Sequence, residues 1–142
     1  MQEWALWALA SAVFAALTAI FAKVGLEGID SNFATFIRTL VIAAALILFL
    51  TYAKKWQPLG ELSARNWVFL TLSGLATGAS WLAYFKALQI GSASQVAPID
   101  KLSVVLVVVF AVMFLGERPS AREWIGIALI ASGVFTLVFA DK

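Results

Sequence analysis

Five long apolar stretches, joined by short polar segments, make up most of this chain. They cover residues 4–26, 33–53, 66–88, 95–115 and 121–140. Each is close to the length of about 20 residues that an α-helix needs to cross the hydrocarbon core of a bilayer. The sequence is 63% hydrophobic and 13% charged, whereas soluble domains are usually about 25% charged. We therefore predict an all-α polytopic membrane protein with five transmembrane helices.

Several common kinds of site are excluded by what the sequence lacks. It contains no cysteine and no histidine, so disulfides, thiolate or imidazole metal sites and a histidine general base are ruled out. The net charge of +2 is too small to indicate nucleic acid. There is no G-x-x-x-x-G-K-[ST] loop that would bind the phosphates of ATP. We expect no cofactor and no metal, and the lipid bilayer is the first partner that the composition implies.

Glycine and proline predict where helices pack, kink or end. Gly74 and Gly78 form a G-x-x-x-G motif in the third stretch, which lets another backbone approach closely. Pro98 falls in the second turn of the fourth helix, so that helix either begins there or kinks there. Gly116 ends the fourth helix, and Glu117 after it is interpreted as part of a loop charge pair. We treat these five residues as structural.

Serine residues predict the beginnings of three helices. The segments from Ser92 to Gln95 and from Ser120 to Glu123 match the S-x-x-E/Q capping box. Ser63 is expected to cap the third helix.

The distribution of lysine and arginine predicts the orientation, because cytoplasmic loops collect these residues. One face, after the second and fourth stretches, carries Lys54, Lys55, Arg65, Arg118 and Arg122. The opposite face carries Lys23, Lys86, Lys101 and Lys142, with Arg38 nearby but deeper. We predict a cytoplasmic N-terminus. The near balance also allows insertion in both directions, which would let two chains pair antiparallel.

Ionisable residues also interrupt the apolar stretches themselves. Asp100 and Lys101 precede the uncharged run 102–115, which as a helix is about 21 Å long, against about 30 Å for the hydrocarbon core. Arg38 lies inside the second stretch. Arg38 and Asp100 each lie sixteen positions before the end of their stretch (38 to 54 and 100 to 116). We therefore expect them at matching depth, about 24 Å from that end.

These charges allow two interpretations. Arg38 and Asp100 could form a structural pair that locks the second helix to the fourth, because paired charges are the least costly to bury. Alternatively, together with Lys101 they could contact a solute or a coupling proton, which Asp100 itself could take up and release. The surplus of positive charge would suit an anionic or zwitterionic solute. Lys23 and Lys86 would form an outer rim, or would only reach the lipid headgroups.

Trp81 and Tyr84 lie three residues apart and share one face of the third helix. They could belong to an interfacial aromatic belt or wall a solute pocket beside the cations. The candidate substrate-binding or coupling residues are therefore Arg38, Asp100, Lys101, Trp81, Tyr84, Lys86 and Lys23. No catalytic residue is expected, because paired carboxylates and a nucleophile–base set are both missing.

Two segments resemble a known family. LGERPSAREWIGIALIASGV, residues 115–134, resembles the end of an EamA domain of the drug/metabolite transporter superfamily. WLAYFKALQIGSASQVAPI, residues 81–99, resembles the passage from the third to the fourth helix of that domain. The resemblance covers essentially the whole chain. It implies transport of small metabolites or drugs across the bacterial inner membrane, through a cavity lined mainly by the third and fourth helices.

The resemblance has two departures. Members of this family usually carry two such domains as an inverted repeat, so this chain would supply half of that fold and a second copy the other half. Asp100 and Lys101 stand where small or apolar residues are more usual in the family. The family's substrate class therefore does not transfer directly to this chain.

The favoured hypothesis is a secondary transporter that works as an antiparallel homodimer by alternating access, driven by a proton, another ion or a solute gradient. The alternative is a non-transporting membrane scaffold, or a subunit of a hetero-oligomeric complex, in which the charges dock a partner. A membrane-embedded enzyme is disfavoured because its carboxylates would be scattered single residues.

Overall fold

The computed structural model describes residues 3–139, which form α-helices and no strands. The helices are α1 (Glu3–Gly25), α2 (Ser31–Tyr52), α3 (Ala64–Ile90), α4 (Ala93–Asp100), α5 (Leu102–Phe110) and α6 (Ala121–Val138). A short 3-10 turn, Leu59–Glu61, lies between α2 and α3. A π-helical turn, Ala111–Leu115, continues α5.

Five helical segments among residues 3–139 are long and apolar enough to cross a membrane. They are α1, α2, α3, α6 and the combined segment Ala93–Leu115, which contains α4, α5 and the π-helical turn. Large apolar side chains along them are exposed, with Trp7 at 74% and Leu75 at 67%, as expected of surfaces that meet lipid. The predicted all-α fold with five membrane helices is confirmed. The predicted end of the fifth stretch at Ala140, and the charge of Lys142, lie outside the described residues.

Side-chain caps fix where two of the helices begin. The Asp30 carboxylate accepts hydrogen bonds from the backbone N–H groups of Asn32 at 2.8 Å and Phe33 at 3.1 Å. These groups have no partner within the helix, so the cap satisfies donors that lipid could not. The Ser63 hydroxyl oxygen likewise accepts from the Asn66 N–H at 3.2 Å. Asp30 and Ser63 therefore fix the beginnings of α2 and α3.

The two predicted capping boxes have different outcomes. At α6 the box is present: Ser120 Oγ accepts from the Glu123 N–H at 3.4 Å, and the Glu123 carboxylate accepts from the Ser120 N–H at 2.5 Å. At α4 the predicted box is wrong, because the Ser92 side chain caps no backbone group. Its hydroxyl instead donates to the Gln95 side-chain oxygen at 2.7 Å.

The fourth membrane segment does not begin at Pro98 and is interrupted after it, at Lys101. Helix α4 begins at Ala93, contains Pro98 and ends at Asp100, and Lys101 separates it from α5. Of the two alternatives left open by the sequence, the structure therefore supports an interruption within the helix.

Gly116 terminates this segment in a left-handed conformation, with φ of 68°. The next N–H, of Glu117, donates back to the carbonyl of Ala111 at 3.2 Å, so the turn satisfies one of the carbonyls left over at the helix end. Residues with a Cβ adopt this conformation only at a cost, which explains a glycine at this position.

The described residues divide into two compact units, the first ending at Ile90 and the second beginning at Gly91. In the first unit, α3 packs against both α1 and α2. The buried residues of this unit lie where α1 ends, where α2 begins and where α3 ends. They are Ala19, Leu26, Ser31, Thr35, Phe85 and Leu88. In the second unit, α4 and α5 both pack against α6, on which Val134 is buried.

The glycines of the G-x-x-x-G motif on α3 have no close neighbour in the described chain. A Cβ atom added to Gly74 or to Gly78 would meet no atom within 4 Å. Residues 3–139 therefore place no close neighbouring backbone against the motif, and the close approach of another backbone stays a prediction.

Candidate functional site

The central charged residue of the first unit is Arg38, which is half-buried about two turns after the beginning of α2. Its guanidinium carbon lies 4.2 Å from the centroid of the Trp81 ring and 5.1 Å from that of Phe85. Both distances fall within the range of cation–π attraction. Trp81 and Phe85 are one turn apart on α3, so a single face of that helix offers two rings to one guanidinium.

The aromatic rings compensate the Arg38 charge without satisfying its hydrogen-bonding groups. Arginine stays protonated in proteins and carries five N–H donors. Among residues 3–90, none accepts a hydrogen bond from Arg38 or forms a salt bridge with it. A half-buried cation with vacant donors is costly unless an acceptor reaches it. The donors of Arg38 are thus available to an anion.

A cavity of about 430 Å³ opens beside Arg38 among α1, α2 and α3. Its lining is apolar apart from Arg38 and the hydroxyl of Thr18. The lining residues are Thr18, Phe21, Ala22, Gly25, Ile29, Ala34, Ile37, Arg38, Val41 and Phe85. A concave apolar site with a small number of polar groups is the usual form of a small-molecule site, and this volume falls within the usual range of about 300–1,000 Å³.

Lys23, at the end of α1, donates a hydrogen bond from Nζ to the backbone carbonyl of Leu88 at 2.6 Å. Leu88 is fully buried in the last turn of α3. Carbonyls of the last turn have no partner within their own helix, and a cation there also interacts favourably with the helix dipole. Lys23 therefore fastens α1 to α3, and a role in binding solute stays a prediction.

Lys86 takes part in a separate polar network at the same end of the unit. Its Nζ donates to the side-chain oxygen of Gln89 at 3.3 Å, and the Gln89 amide donates to the carbonyl of Ile29 at 3.0 Å. Gln89 also borders a second cavity of about 360 Å³, which Lys23 and Glu27 line as well. The two lysines predicted as an outer rim thus lie in one polar region where α1 and α3 end.

Asp100 and Lys101 form an ion pair within the second unit, with 3.3 Å between Lys101 Nζ and Asp100 Oδ2. The pair lies at the interruption between α4 and α5. The Asp100 side chain is 38% exposed and the Lys101 side chain is 54% exposed. Adjacent helical residues point in different directions, so the break at Lys101 helps the two side chains to meet. The matching depth of Asp100 and Arg38, and their pairing, stay predictions.

The sequence singled out Arg38, Lys23 and Lys86, and the structure gives each a partner that was not predicted. These partners are the Phe85 ring, the carbonyl of Leu88 and the Gln89 side chain, respectively. Arg38 contacts the Trp81 ring, but neither Trp81 nor Tyr84 is among the residues that line the cavity beside Arg38, so their role as walls of a solute pocket stays a prediction. Phe85 and Leu88 were not predicted as members of the site. The spacing of Phe85, one turn after Trp81, was the available signal. Tyr84 is half-buried on the same helix, and its part in binding stays a prediction.

No group of three or more acidic side chains that could hold a metal ion occurs among residues 3–139. The chemistry that this region offers is recognition of an anion by a guanidinium beside an apolar cavity.

Comparison with known proteins gives the family. The profile of the EamA-like transporter family matches residues 2–139. A protein of Sinorhizobium sp, named "Uncharacterized transporter in cobO 3'region", is 55% identical over 136 residues, which are 96% of each chain. The "Uncharacterized transporter YxxF" of Bacillus subtilis (strain 168) is 29% identical over 135 residues, which are 94% of this chain and 42% of that protein. No solved structure matches.

These matches confirm the resemblance noted in the sequence. The family profile covers every described residue, and the Sinorhizobium protein is similar along nearly its whole length. The chain therefore belongs to the EamA-like transporter family.

Proposed function

We propose that the protein is a secondary transporter of small metabolites or drugs, with an anionic or zwitterionic solute. The observation that carries this proposal is Arg38, a cation in a candidate membrane helix that lies beside an apolar cavity and whose N–H donors no residue of 3–90 accepts. Ionisable residues inside membrane helices are costly and usually mark a path for a solute or an ion. Membership in a transporter family supports the same conclusion.

The energy for transport would come from a gradient. The sequence has no phosphate-binding loop for ATP, so an ion gradient, a proton gradient or an exchanged solute must drive net movement. Alternating access then requires that the cavity open to one side of the membrane at a time.

The working unit in this proposal is an antiparallel homodimer. The chain spans 42% of the Bacillus relative, which leaves room in that protein for a second domain of the same size. Transporter folds commonly combine two halves of opposite orientation around a shared site. A second copy of this chain, inserted the other way, would supply the missing half.

The chain would lie in the bacterial inner membrane with its N-terminus in the cytoplasm, or in both orientations within the dimer. Because the sequence has no cysteine, single cysteines can report on orientation. Position 55 follows α2 and position 27 follows α1, so the variants Lys55→Cys and Glu27→Cys would place cysteines on opposite faces of the membrane. In a dual-topology population, each should react with an impermeant maleimide from both sides. Strictly one-sided labelling would exclude antiparallel pairs.

Transport itself is tested with purified protein in liposomes. We expect saturable uptake of organic anions or zwitterions that depends on an imposed proton, ion or solute gradient. Protein-free liposomes and liposomes without a gradient are the controls. If no solute shows saturable flux under any gradient, the transporter proposal fails, and the scaffold or hetero-oligomer alternative is favoured.

A further inference from the structure

We propose that the cavity beside Arg38 binds an organic monoanion with a single apolar body, such as an aryl-substituted carboxylate, in preference to a zwitterion. This inference rests on the proposed function, because it takes the cavity as the solute site of the transporter. It narrows the solute from two charge classes to one.

The geometry of the guanidinium provides the first step. Trp81 and Phe85 contact Arg38 through their ring faces, at 4.2 and 5.1 Å from Cζ. Such contacts hold the cation by its charge and leave its in-plane N–H groups for other partners. No residue among 3–90 accepts from those groups. A carboxylate matches the fork of two parallel N–H donors and can bind it with two hydrogen bonds.

The charges around the cavity provide the second step. Arg38 is charged, and the other nine lining residues are not. The nearby acidic side chain of Asp30 already accepts the N–H groups that begin α2, and Glu27 lines the second cavity. The lining of the cavity therefore offers no carboxylate to the ammonium of a zwitterion. That ammonium would enter beside a guanidinium, and like charges repel strongly in such surroundings.

The remainder of the lining provides the third step. Phe21, Ile37, Val41 and Phe85 give the cavity an apolar wall, and Thr18 adds one hydroxyl. An apolar body gains by contact with these side chains, whereas extra polar groups on the ligand would lose hydrogen bonds to water without replacement. A volume of about 430 Å³ suits one compact molecule.

A matched set of ligands with the same phenyl body isolates the charge. The protein is placed in phosphatidylcholine nanodiscs, and binding of radiolabelled 3-phenylpropanoate is measured at equilibrium. Phenylalanine, 3-phenylpropanamide and 3-phenylpropylammonium are the zwitterionic, neutral and cationic competitors. We expect saturable binding of 3-phenylpropanoate and competition by the other three at least roughly tenfold weaker, a difference of about 1.4 kcal/mol. Equal or tighter binding of phenylalanine would overturn the inference.

Variants locate the binding. Arg38→Gln should weaken 3-phenylpropanoate binding roughly tenfold or more, because both charge-assisted hydrogen bonds are lost. Arg65→Gln is the matched control, since Arg65 also lies over a ring, that of Phe69 at 5.8 Å, but does not line the cavity. Ala34→Leu fills the cavity and leaves Arg38 in place, so it should also weaken binding. Unchanged binding in either cavity variant would overturn the inference, as would an equal loss in Arg65→Gln.

The phosphate of a lipid headgroup is also an anion that a guanidinium can bind. The last experiment therefore tests an anionic lipid as the occupant of the cavity. Nanodiscs containing phosphatidylglycerol should leave 3-phenylpropanoate binding within about twofold. If this lipid displaces the carboxylate in wild type, the occupant of the cavity is a lipid and the inference falls.

Binding and flux can fail separately. Selective binding of the monoanion without any flux would retain the site and remove the proposed transport. Flux of zwitterions with no binding or flux of monoanions would retain transport and remove this inference.

Discussion

The two units place ionisable groups in apolar helices and compensate them in different ways. In the first unit, the guanidinium of Arg38 lies beside two aromatic rings, and no residue of 3–90 accepts its N–H donors. In the second, Asp100 and Lys101 neutralise each other at a helix break. A cation that is compensated only by ring faces still needs an acceptor, whereas a closed ion pair does not. This difference is the reason for proposing that the first unit carries the affinity for solute.

Arg38→Gln tests this comparison most severely. The change removes charge-assisted hydrogen bonds, each contributing about 1.5–3 kcal/mol, so transport of an organic anion should fall roughly 100-fold in kcat/KM. Arg38→Lys should recover part of the loss, because lysine keeps the charge but lacks the planar fork. Flux into proteoliposomes measures both variants.

The control for this experiment is Arg65→Gln, which removes a second arginine of the same unit from beside a ring. It should change flux by less than about twofold, in line with the small effects of exposed charges. Full transport by Arg38→Gln would contradict the assignment of the site to the first unit.

The sequence was sufficient to predict five membrane helices, because a bilayer imposes both a length and an apolar composition. Arg38 could also be singled out, since a charge within an apolar stretch is visible without a structure. The contact between Lys23 and the carbonyl of Leu88 was not predictable in this way. It depends on an unpaired backbone group at the end of α3, and a sequence does not show which helix end faces which side chain.

Phe85 illustrates a related difficulty. Eleven phenylalanines occur in the chain, and in an apolar stretch a ring that contacts an arginine has the same local pattern as a ring that faces lipid. Only the packing of α3 against α2 distinguishes them. The charged residues of a membrane site are thus easier to predict than its apolar partners.

Double-mutant cycles test whether the two sites are independent. Asp100→Asn and Lys101→Met should show a coupling of about 0.5–1 kcal/mol in thermal unfolding, typical of a partly exposed pair. The cycle of Arg38→Ala with Asp100→Asn should be additive within about 0.5 kcal/mol, because each charge is compensated within its own unit.

The sequence also allowed Arg38 and Asp100 to form a pair. If they do, the opposite result is expected. In that case the double variant would be clearly less damaged than the sum of the single variants, and the two units would share one charged site.

The two units can also be compared by the backbone conformation at the end of one membrane segment in each. Lys54, after α2, has φ of 52°, and Gly116, at the end of the fourth segment, has φ of 68°. The left-handed conformation costs a residue with a Cβ about 1–2 kcal/mol. Gly116→Ala should therefore lower the free energy of unfolding by about 1 kcal/mol, and Lys54→Gly should raise it by a similar or smaller amount.

Unfolding of the purified variants in mixed detergent micelles measures both changes. Gly60→Ala is the matched control, because Gly60 has an ordinary φ and a Cβ there would meet no atom within 4 Å. Destabilisation by Lys54→Gly would show that the lysine side chain contributes more than its backbone conformation costs.

The last prediction separates two segments that match the same S-x-x-E/Q pattern, SASQ at 92–95 and SARE at 120–123. Ser120 Oγ caps the N–H of Glu123, whereas Ser92 Oγ donates to the Gln95 side chain and leaves the backbone N–H to the Ser92 carbonyl, at 3.1 Å. Ser120→Ala should therefore cost about 1 kcal/mol of unfolding free energy, and Ser92→Ala less than about 0.5 kcal/mol. An ionised glutamate can only accept hydrogen bonds and turns back to the backbone, while a glutamine oxygen competes for the serine hydroxyl. Gln95→Glu should then create the missing box and restore the sensitivity to Ser92→Ala, and an unchanged response would show that the helix break, rather than the amide, prevents the cap.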